Sequence, residues 1–268
     1  MKIAVVTNGG FFARIILDKC MRNPDWEIGG IVVISGDYFG NTGLKSLWKV
    51  GRQTYWVYVL YKVFVHFLFK ILALLRSERL YDVNALAEHC GIPVINVTTV
   101  GDPAVQDFVE TQNPDVLLSV SCPQRIKKQL LETASKAAIN IHSSLLPDYA
   151  GLAPYFWVLA EGESVTGTTV HYMAEKFDEG HVVIQKEVPI PSRCSAFRLF
   201  ASLSKAGSDA VDQALQAISN GATGTPQDLS RASYFSHPTK ASYLKLSRRG
   251  HCLITIGDIL SVLKGKIQ

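Results

Sequence analysis

The sequence predicts an α/β fold in which a mostly parallel sheet is flanked by helices. Two observations predict it: short apolar runs bounded by turn-forming residues, and longer segments with apolar residues at helical spacing, which alternate along the chain. The chain has 268 residues, of which 47% are hydrophobic and 19% are charged. It is therefore long enough to bury a large core, and its composition is that of a folded globular protein. We expect a domain over residues 1–220 and a short basic extension over 221–268.

Strands are predicted where the short apolar runs occur. In order along the chain they cover residues 2–7, 28–35, 93–97, 115–120, 138–141, 168–173 and 181–188. Because helical patterns separate the earlier runs, these strands are expected to be parallel. The last two are expected to pair with each other through a loop that carries Asp178.

Helices are predicted where apolar residues recur at helical spacing. They cover residues 11–21, 81–90, 102–111, 123–134 and 196–219. The fourth of them would open with a proline, which is favoured in the first turn because its φ suits a helix and its missing N–H is not needed there. The chain shows no internal repeat.

The cysteines and the amino terminus bear on the compartment. The five cysteines are dispersed and include no Cys-x-x-Cys pair: Cys20, Cys90, Cys122, Cys194 and Cys252. We expect buried, reduced thiols and no metal site. The chain starts directly with a strand pattern and has no charged leader with a cleavage site, so a cytoplasmic protein is expected.

The most informative motif is Asn140-Ile141-His142, followed later by Asp178. Side chains alternate along a strand, so Asn140 and His142 would project from one face near the carboxyl end of the fifth strand, where open α/β sheets place their sites. An amide, an imidazole and a carboxylate are the groups needed to move an acyl group onto an amine. An Asn-x-His pair at a strand end also commonly satisfies local backbone groups, so the spacing alone leaves both interpretations open.

Residues 140–189 resemble the folate-dependent formyltransferases, a family of methionyl-tRNA, glycinamide ribonucleotide and sugar N-formyltransferases and formyltetrahydrofolate hydrolase. The resemblance rests on Asn140-Ile141-His142 and on the segments Ser144-Leu145-Leu146-Pro147, Tyr149-Ala150-Gly151, Gly167-Thr168-Thr169-Val170-His171 and Asp178-Glu179-Gly180. It implies a Rossmann-like formyltransferase fold, 10-formyltetrahydrofolate as co-substrate, a primary amine as acceptor and no metal.

The same resemblance implies roles for the three polar residues. The amide of Asn140 would donate to the formyl oxygen, where negative charge develops during transfer. His142 would assist it and handle the proton, and Asp178 would orient His142 or a relaying water. His171 is expected to support the site from beneath and not to react.

The resemblance also implies binding residues on both sides of this centre. The pterin would lie against one wall formed by Ser119, Val120, Ser121 and Cys122 and another formed by Ala174, Glu175 and Phe177. A turn carrying Ser144, Tyr149, Gly151 and Tyr155 would shape the acceptor side.

The first strand-to-helix turn contains Asn8, Gly9 and Gly10. Backbone amides at such a turn can hold an anion, so these residues are candidate substrate contacts. The turn lacks Gly-x-Gly-x-x-Gly and therefore does not predict a dinucleotide site. It also differs from the phosphate loop of glycinamide ribonucleotide formyltransferases, and a tight structural turn is the alternative.

Residues 55–75 form an unusually apolar segment within an apparent insertion at about 45–80. The segment approaches the length of a membrane span, but Lys62 and Lys70 would each cost about 3 kcal/mol near a bilayer centre. Nearby basic residues and aromatic side chains suit a helix lying in a membrane interface beside anionic lipid. Packing against its own domain or a second subunit is the alternative.

The acceptor is the least determined feature. The extension after about residue 220 is basic and shorter than the carboxyl-terminal domain of typical methionyl-tRNA formyltransferases, so an amino sugar on a nucleotide or lipid carrier is preferred and nucleic acid is less favoured. Methionyl-tRNA and glycinamide ribonucleotide remain alternative acceptors. A formyltetrahydrofolate hydrolase and a non-catalytic folate- or partner-binding module are the other possibilities.

Overall fold

The computed structural model describes residues 1–37, 42–43, 51–75, 81–174 and 176–266. Its strands are β1 (Lys2–Thr7), β2 (Glu27–Ile34), β3 (Val94–Val97), β4 (Val116–Val120), β5 (Ala137–His142), β6 (Ala150–Gly151), β7 (Val165–Tyr172), β8 (Val182–Pro189) and β9 (Tyr234–Phe235). Its helices are α1 (Phe11–Arg22), α2 (Trp56–Leu75), α3 (Val83–His89), α4 (Pro103–Gln112), α5 (Lys128–Leu131), α6 (Pro154–Glu161), α7 (Ala196–Ser219), α8 (Lys240–Arg248) and α9 (Ile256–Leu263).

The predicted α/β fold is confirmed. A seven-stranded sheet has the order β3-β2-β1-β4-β5-β7-β8, and its first five strands are parallel. β7 pairs antiparallel with β5 and with β8, as expected for the two strands on either side of Asp178. The central strands β1 and β4 are almost wholly buried, since helices cover both faces of the sheet.

Alternation along the central strands divides the core into two layers. Val5 and Leu118 face the layer that contains residues of α1 and α7, whereas Val6 and Leu117 face the layer that contains Val105 of α4. Val120 at the end of β4 and Ile141 near the end of β5 belong to the first of these layers. That layer therefore supports the loops that leave these two strands.

The predicted helix at 123–134 is wrong over most of its length, because only Lys128–Leu131 is helical. Ser121 has a left-handed φ of 54°, and the chain then follows an irregular path. The buried Gln124 side chain holds that path: its Oε1 accepts from the Val100 N–H at 2.9 Å, and its Nε2 donates to the Asp37 and Thr98 carbonyls at 2.9 and 3.0 Å. These tertiary bonds outweigh the local helical pattern.

A third apolar cluster joins α2, α6 and α7 with the carboxyl-terminal extension. Phe156 of α6 and Phe197 of α7 are fully buried there, beside Leu246 of α8 and Val262 of α9. The extension is therefore folded onto the domain. α6 was not predicted, because its residues are almost all apolar and give no polar face at helical spacing. The parts of the predicted insertion at 45–50 and 76–80 lie outside the described residues.

Asp258 fastens the extension to the start of α7. Its buried carboxylate accepts hydrogen bonds from the Ser195 hydroxyl at 2.6 Å, from Arg198 Nε at 2.9 Å, and from the hydroxyl and N–H of Thr255 at 2.7 and 2.9 Å. Burial by itself raises the pKa of the Asp258 carboxyl, but these donors together lower it below its ordinary value.

We expect Asp258→Asn to destabilise the protein by about 1–3 kcal/mol at pH 7, because an amide cannot accept from all of these buried donors. The folded-state pKa lies below the unfolded one, so the carboxylate's contribution is present above about pH 4 and is lost as the pH falls. Urea unfolding should therefore show a lower free energy of unfolding for Asp258→Asn than for the wild type at pH 7, and this difference should become smaller in acid. Asp107→Asn, at an exposed position of α4, is the control, and an equal effect there would contradict the assignment.

Candidate active site

A cavity of about 290 Å³ opens at the carboxyl ends of β4 and β5. Parallel neighbours end at the same sheet edge, so Ser119 of β4 lies beside Asn140 of β5 in the strand register. The antiparallel partner β7 then places His171 opposite Asn140. The cavity is lined by residues from the ends of three adjacent strands and from the loops that follow them.

His142 is oriented by a backbone carbonyl. Its Nε2 lies 2.9 Å from the carbonyl oxygen of Tyr149. A carbonyl can only accept, so Nε2 carries the hydrogen, and Nδ1 lies on the opposite side of the ring, 3.6 Å from Oδ1 of Asp178. In the neutral ring Nδ1 is the acceptor. His142 can therefore take a proton at Nδ1 beside a carboxylate that stabilises the imidazolium.

His171 is oriented in the same way and completes the cluster. Its Nδ1 donates to the Tyr172 carbonyl at 2.9 Å, and its Nε2 lies 3.6 Å from Oδ1 of Asp178 and 3.2 Å from the side-chain nitrogen of Asn140. A neutral His171 accepts one N–H of Asn140, whose amide carries a second N–H that can donate to a group in the cavity. The structure thus places the expected supporting residue in direct contact with the predicted centre.

The Asp178 carboxylate lies between the two imidazoles, and its side chain is only 9% exposed. Burial by itself raises the pKa of this carboxyl. The imidazoles of His142 and His171, which attract the carboxylate when they are protonated, and the Gly151 N–H, 3.0 Å from Oδ2, outweigh burial and hold the pKa well below its ordinary value. Asp178 is therefore a carboxylate throughout the neutral range.

The loop that carries Asp178 is held by contacts to its backbone. Asp178 has a left-handed φ of 58°, and Gln227 Nε2 donates to the carbonyls of Asp178 and Gly180 at 2.7 and 2.6 Å. A Cβ at Gly180 would collide with the carbonyl oxygen of Tyr172. The sequence prediction missed Gln227, since nothing in the chain pattern connects it with a loop so far upstream.

Strained backbone is concentrated around the cavity. Among the described residues, five that are not glycine have a positive φ. Three of these line the cavity: Ser121 at 54°, Ala153 at 53° and Asp178 at 58°. Such conformations persist only where surrounding contacts impose them, and they cluster at functional sites.

Burial raises the pKa of the Cys122 thiol to about 11, so this cavity residue is a neutral thiol and not a nucleophile near neutral pH.

The walls of the cavity are largely apolar. Tyr155 stacks on Phe200 with 4.3 Å between ring centroids, and both line the cavity. The Arg125 guanidinium carbon lies 6.0 Å from the centroid of the Phe177 ring, and both residues line the cavity. Within the described residues, no group of three or more His, Cys, Asp or Glu side chains could hold a metal ion.

The structure brings ten of the predicted site residues to the cavity: Ser119, Ser121, Cys122, Asn140, His142, Gly151, Tyr155, Ala174, Phe177 and Asp178.

Other predicted contacts lie elsewhere. Val120 is buried in the core, and Ser144 is buried with its hydroxyl donating to the Asp148 carbonyl at 2.7 Å. Tyr149 stacks on Phe235, and its hydroxyl donates to Glu163 at 2.6 Å.

The remaining predicted contacts are in the first turn, and one falls outside the described residues. Asn8, Gly9 and Gly10 are not among the residues that line the cavity. The Asn8 side chain accepts from the Gly10 N–H at 3.0 Å, a local turn contact. Glu175 lies outside the described residues. Binding roles for all of these residues stay predictions.

A family model described as formyl transferase matches residues 70–215, which are more than half of the chain and include Asn140, His142, His171 and Asp178. The chain belongs to the formyl transferase family. The methionyl-tRNA formyltransferase of Lysinibacillus sphaericus is 35% identical over 157 residues, which are 58% of this chain and 50% of the relative. The chain thus spans about half the length of the curated relatives it matches.

Solved formyltransferases share the fold at low sequence identity. The glycinamide ribonucleotide transformylase 1 of Symbiobacterium toebii superimposes with a TM-score of 0.57 at 18% identity, covering 82% of this chain and 88% of the other. A sugar 3N-formyl transferase solved in the presence of dTDP and 5-N-formyl-THF superimposes with a TM-score of 0.57 at 17% identity. The superposition covers 90% of this chain and 70% of the other. These similarities establish a common architecture beyond the matched segment.

Gly180→Ala should displace the loop that carries Asp178, because the new methyl group meets backbone and not a flexible side chain. We expect the free energy of unfolding to fall by about 1–3 kcal/mol, as for other overpacked sites. Gly101→Ala is the matched control, since a Cβ there meets its nearest neighbour at an ordinary 3.7 Å. Urea unfolding of both variants tests this, and equal stability of the two would show that Gly180 is not sterically required.

Proposed function

We propose that the chain transfers a formyl group from 10-formyltetrahydrofolate to a primary amine. The observation that carries the proposal is the cluster of Asn140, His142, His171 and a buried Asp178 carboxylate in the cavity of a formyl transferase family member. This set combines a neutral amide donor, proton-accepting imidazoles and a fixed negative charge. Those groups match the needs of acyl transfer to an amine.

Each residue has a distinct role in the proposed reaction. The folate co-substrate supplies the formyl group. Asn140 donates an N–H to the formyl oxygen, where charge develops as the amine attacks. His142 accepts the proton released by the amine at Nδ1, directly or through water, and Asp178 stabilises the imidazolium that results. As the bond between the formyl carbon and the folate nitrogen breaks, His142 returns the proton, directly or through water, to that nitrogen, and tetrahydrofolate leaves. His171 holds the Asn140 amide in position at 3.2 Å.

The cavity walls fit a flat, partly aromatic co-substrate. The cavity lining includes Ser119, Ser121 and Cys122, which we expect to contact the pterin through main-chain groups, and Met173, Ala174 and Phe177, which supply apolar surface. Pockets of this kind bind through apolar walls and a few polar groups that fix orientation. A sugar formyltransferase with the same fold was solved in the presence of 5-N-formyl-THF, which supports a folate as the co-substrate.

We propose an amino sugar on a nucleotide or lipid carrier as the acceptor. The shared fold with a sugar 3N-formyl transferase supports this choice. Sequence similarity to methionyl-tRNA formyltransferases favours a second candidate, the methionyl group of an aminoacylated tRNA. Both acceptors offer a primary amine, but one is a sugar on a nucleotide or lipid carrier and the other is an amino acid on a tRNA.

A panel of acceptors distinguishes these candidates. The purified chain is incubated with 10-formyltetrahydrofolate and nucleotide-linked amino sugars, glycinamide ribonucleotide or methionyl-tRNA, and products are weighed by mass spectrometry. We expect an amino sugar heavier by one formyl group. Formate release without any acceptor would instead indicate a hydrolase, and folate binding without turnover would indicate a binding module.

His142→Ala and Asp178→Asn should each lower the transfer rate by about 10²–10³-fold while folate affinity changes little, because both residues act on the reacting atoms and not on the pterin. Rates under saturating co-substrate, together with the dissociation constant of 5-formyltetrahydrofolate, measure the two effects separately. His89→Ala, on the exposed end of α3, is the control and should be fully active. Full activity of the Asp178→Asn protein would remove the proposed mechanism.

A further inference from the structure

Helix α2 presents two apolar faces, and the described parts of the chain cover only the inner one. Its inner face packs into the third core cluster through Tyr58, Tyr61, Phe69 and Leu72. Its outer face carries large hydrophobic side chains that are 46–84% exposed: Trp56, Leu60, Phe64, Phe67, Ile71, Leu74 and Leu75. A contiguous apolar surface of this kind marks an interaction site and is not ordinary surface composition.

The exposed residues form a stripe with a basic row along one edge. At about 100° per residue the seven side chains fall within roughly a 100° sector of the helix. Lys62, His66 and Lys70 follow at intervals of four residues on the neighbouring sector, and all three are exposed. Residues 51–75 contain no Asp or Glu. The outer surface of α2 is therefore apolar, bordered by positive charge and free of acidic side chains.

The helix is long and apolar enough to cross a bilayer, with 20 residues and a mean hydropathy of 1.8 over its most apolar window. Its packing opposes that orientation. Phe69 stacks on Phe11 of α1 with 4.0 Å between ring centroids, and the buried Tyr58 hydroxyl lies 2.6 Å from the Tyr155 hydroxyl. A spanning helix would lose these contacts along its whole length. Only the outer stripe can meet lipid while the fold stays intact.

We propose that the outer stripe of α2 docks into the interface of an anionic lipid bilayer, with the helix lying in the membrane plane. Its apolar side chains enter the acyl boundary, Trp56 sits at the headgroup level, and Lys62 and Lys70 contact anionic headgroups. A second copy of α2 is a poorer occupant, because it would bring more lysines and no carboxylate to the same edge. Charge complementarity therefore selects the lipid surface.

Membrane docking would also position the catalytic cavity. Tyr58 of α2 contacts Tyr155, and Tyr155 stacks on Phe200, so two of the three rings in this series line the cavity. The docked helix thus contacts a residue of the cavity wall directly, through Tyr58 and Tyr155. This arrangement brings the site to amines held on a lipid carrier, a consequence that rests on the proposed function, whereas docking itself does not.

Vesicle flotation tests the docking surface without any substrate. The wild-type chain is mixed with vesicles of phosphatidylcholine alone or with roughly 30% phosphatidylglycerol, since an anionic surface attracts basic segments. The test variant is Leu60→Ser/Phe67→Ser/Ile71→Ser. The matched control is Leu229→Ser/Ile256→Ser/Leu260→Ser, which removes three exposed apolar side chains at other places on the surface. Circular dichroism melts establish that both variants fold.

We expect the wild type and the control to float with the anionic vesicles, and the α2 variant to bind at least tenfold more weakly. Lys62→Gln/Lys70→Gln should lose the preference for anionic lipid and much of the salt sensitivity. Absence of wild-type binding, or unchanged binding by the α2 variant, would overturn the proposal. So would a dimer in solution that the same triple substitution dissociates, since that result assigns the stripe to a second copy.

Discussion

The site depends on keeping one carboxylate charged inside the protein. Asp178 is removed from water, which by itself favours the neutral acid, and the two imidazoles and the Gly151 N–H reverse that preference. The same carboxylate helps to orient both imidazoles, because His142 and His171 each turn one nitrogen toward it and the other toward a backbone carbonyl. The left-handed backbone at Asp178 and the Gln227 bonds hold it there.

Much of the fold and the centre of the site could be predicted from the sequence, because both follow from local patterns. Strand alternation places Asn140 and His142 on one face, and the order of apolar runs gives the parallel sheet. His171 joins the centre only through the antiparallel register of β5 and β7, which no local pattern specifies. The helix expected at 123–134 failed because the Gln124 side chain bonds to three distant backbone groups.

The inner face of α2 links the unusual helix to the family site. Its aromatic side chains pack on α1 and α6 and reach Tyr155 at the cavity wall. The hydropathy of residues 55–75 could be predicted from the sequence, but the division into one buried and one exposed apolar face could not, because both faces are apolar. Only the burial of each α2 side chain in the structure distinguishes those that stabilise the fold from those that are exposed and can contact a partner.

A crystal structure with bound 5-formyltetrahydrofolate would show where the co-substrate lies and what its formyl group contacts. We expect the pterin against Ser121 and Cys122, with the formyl oxygen within hydrogen-bonding distance of the Asn140 amide and His142 on the side from which an amine would approach. Asp178 should keep its contacts to both imidazoles. A folate bound outside this cavity, or a formyl group remote from Asn140 and His142, would contradict the assignment of the site and its chemistry.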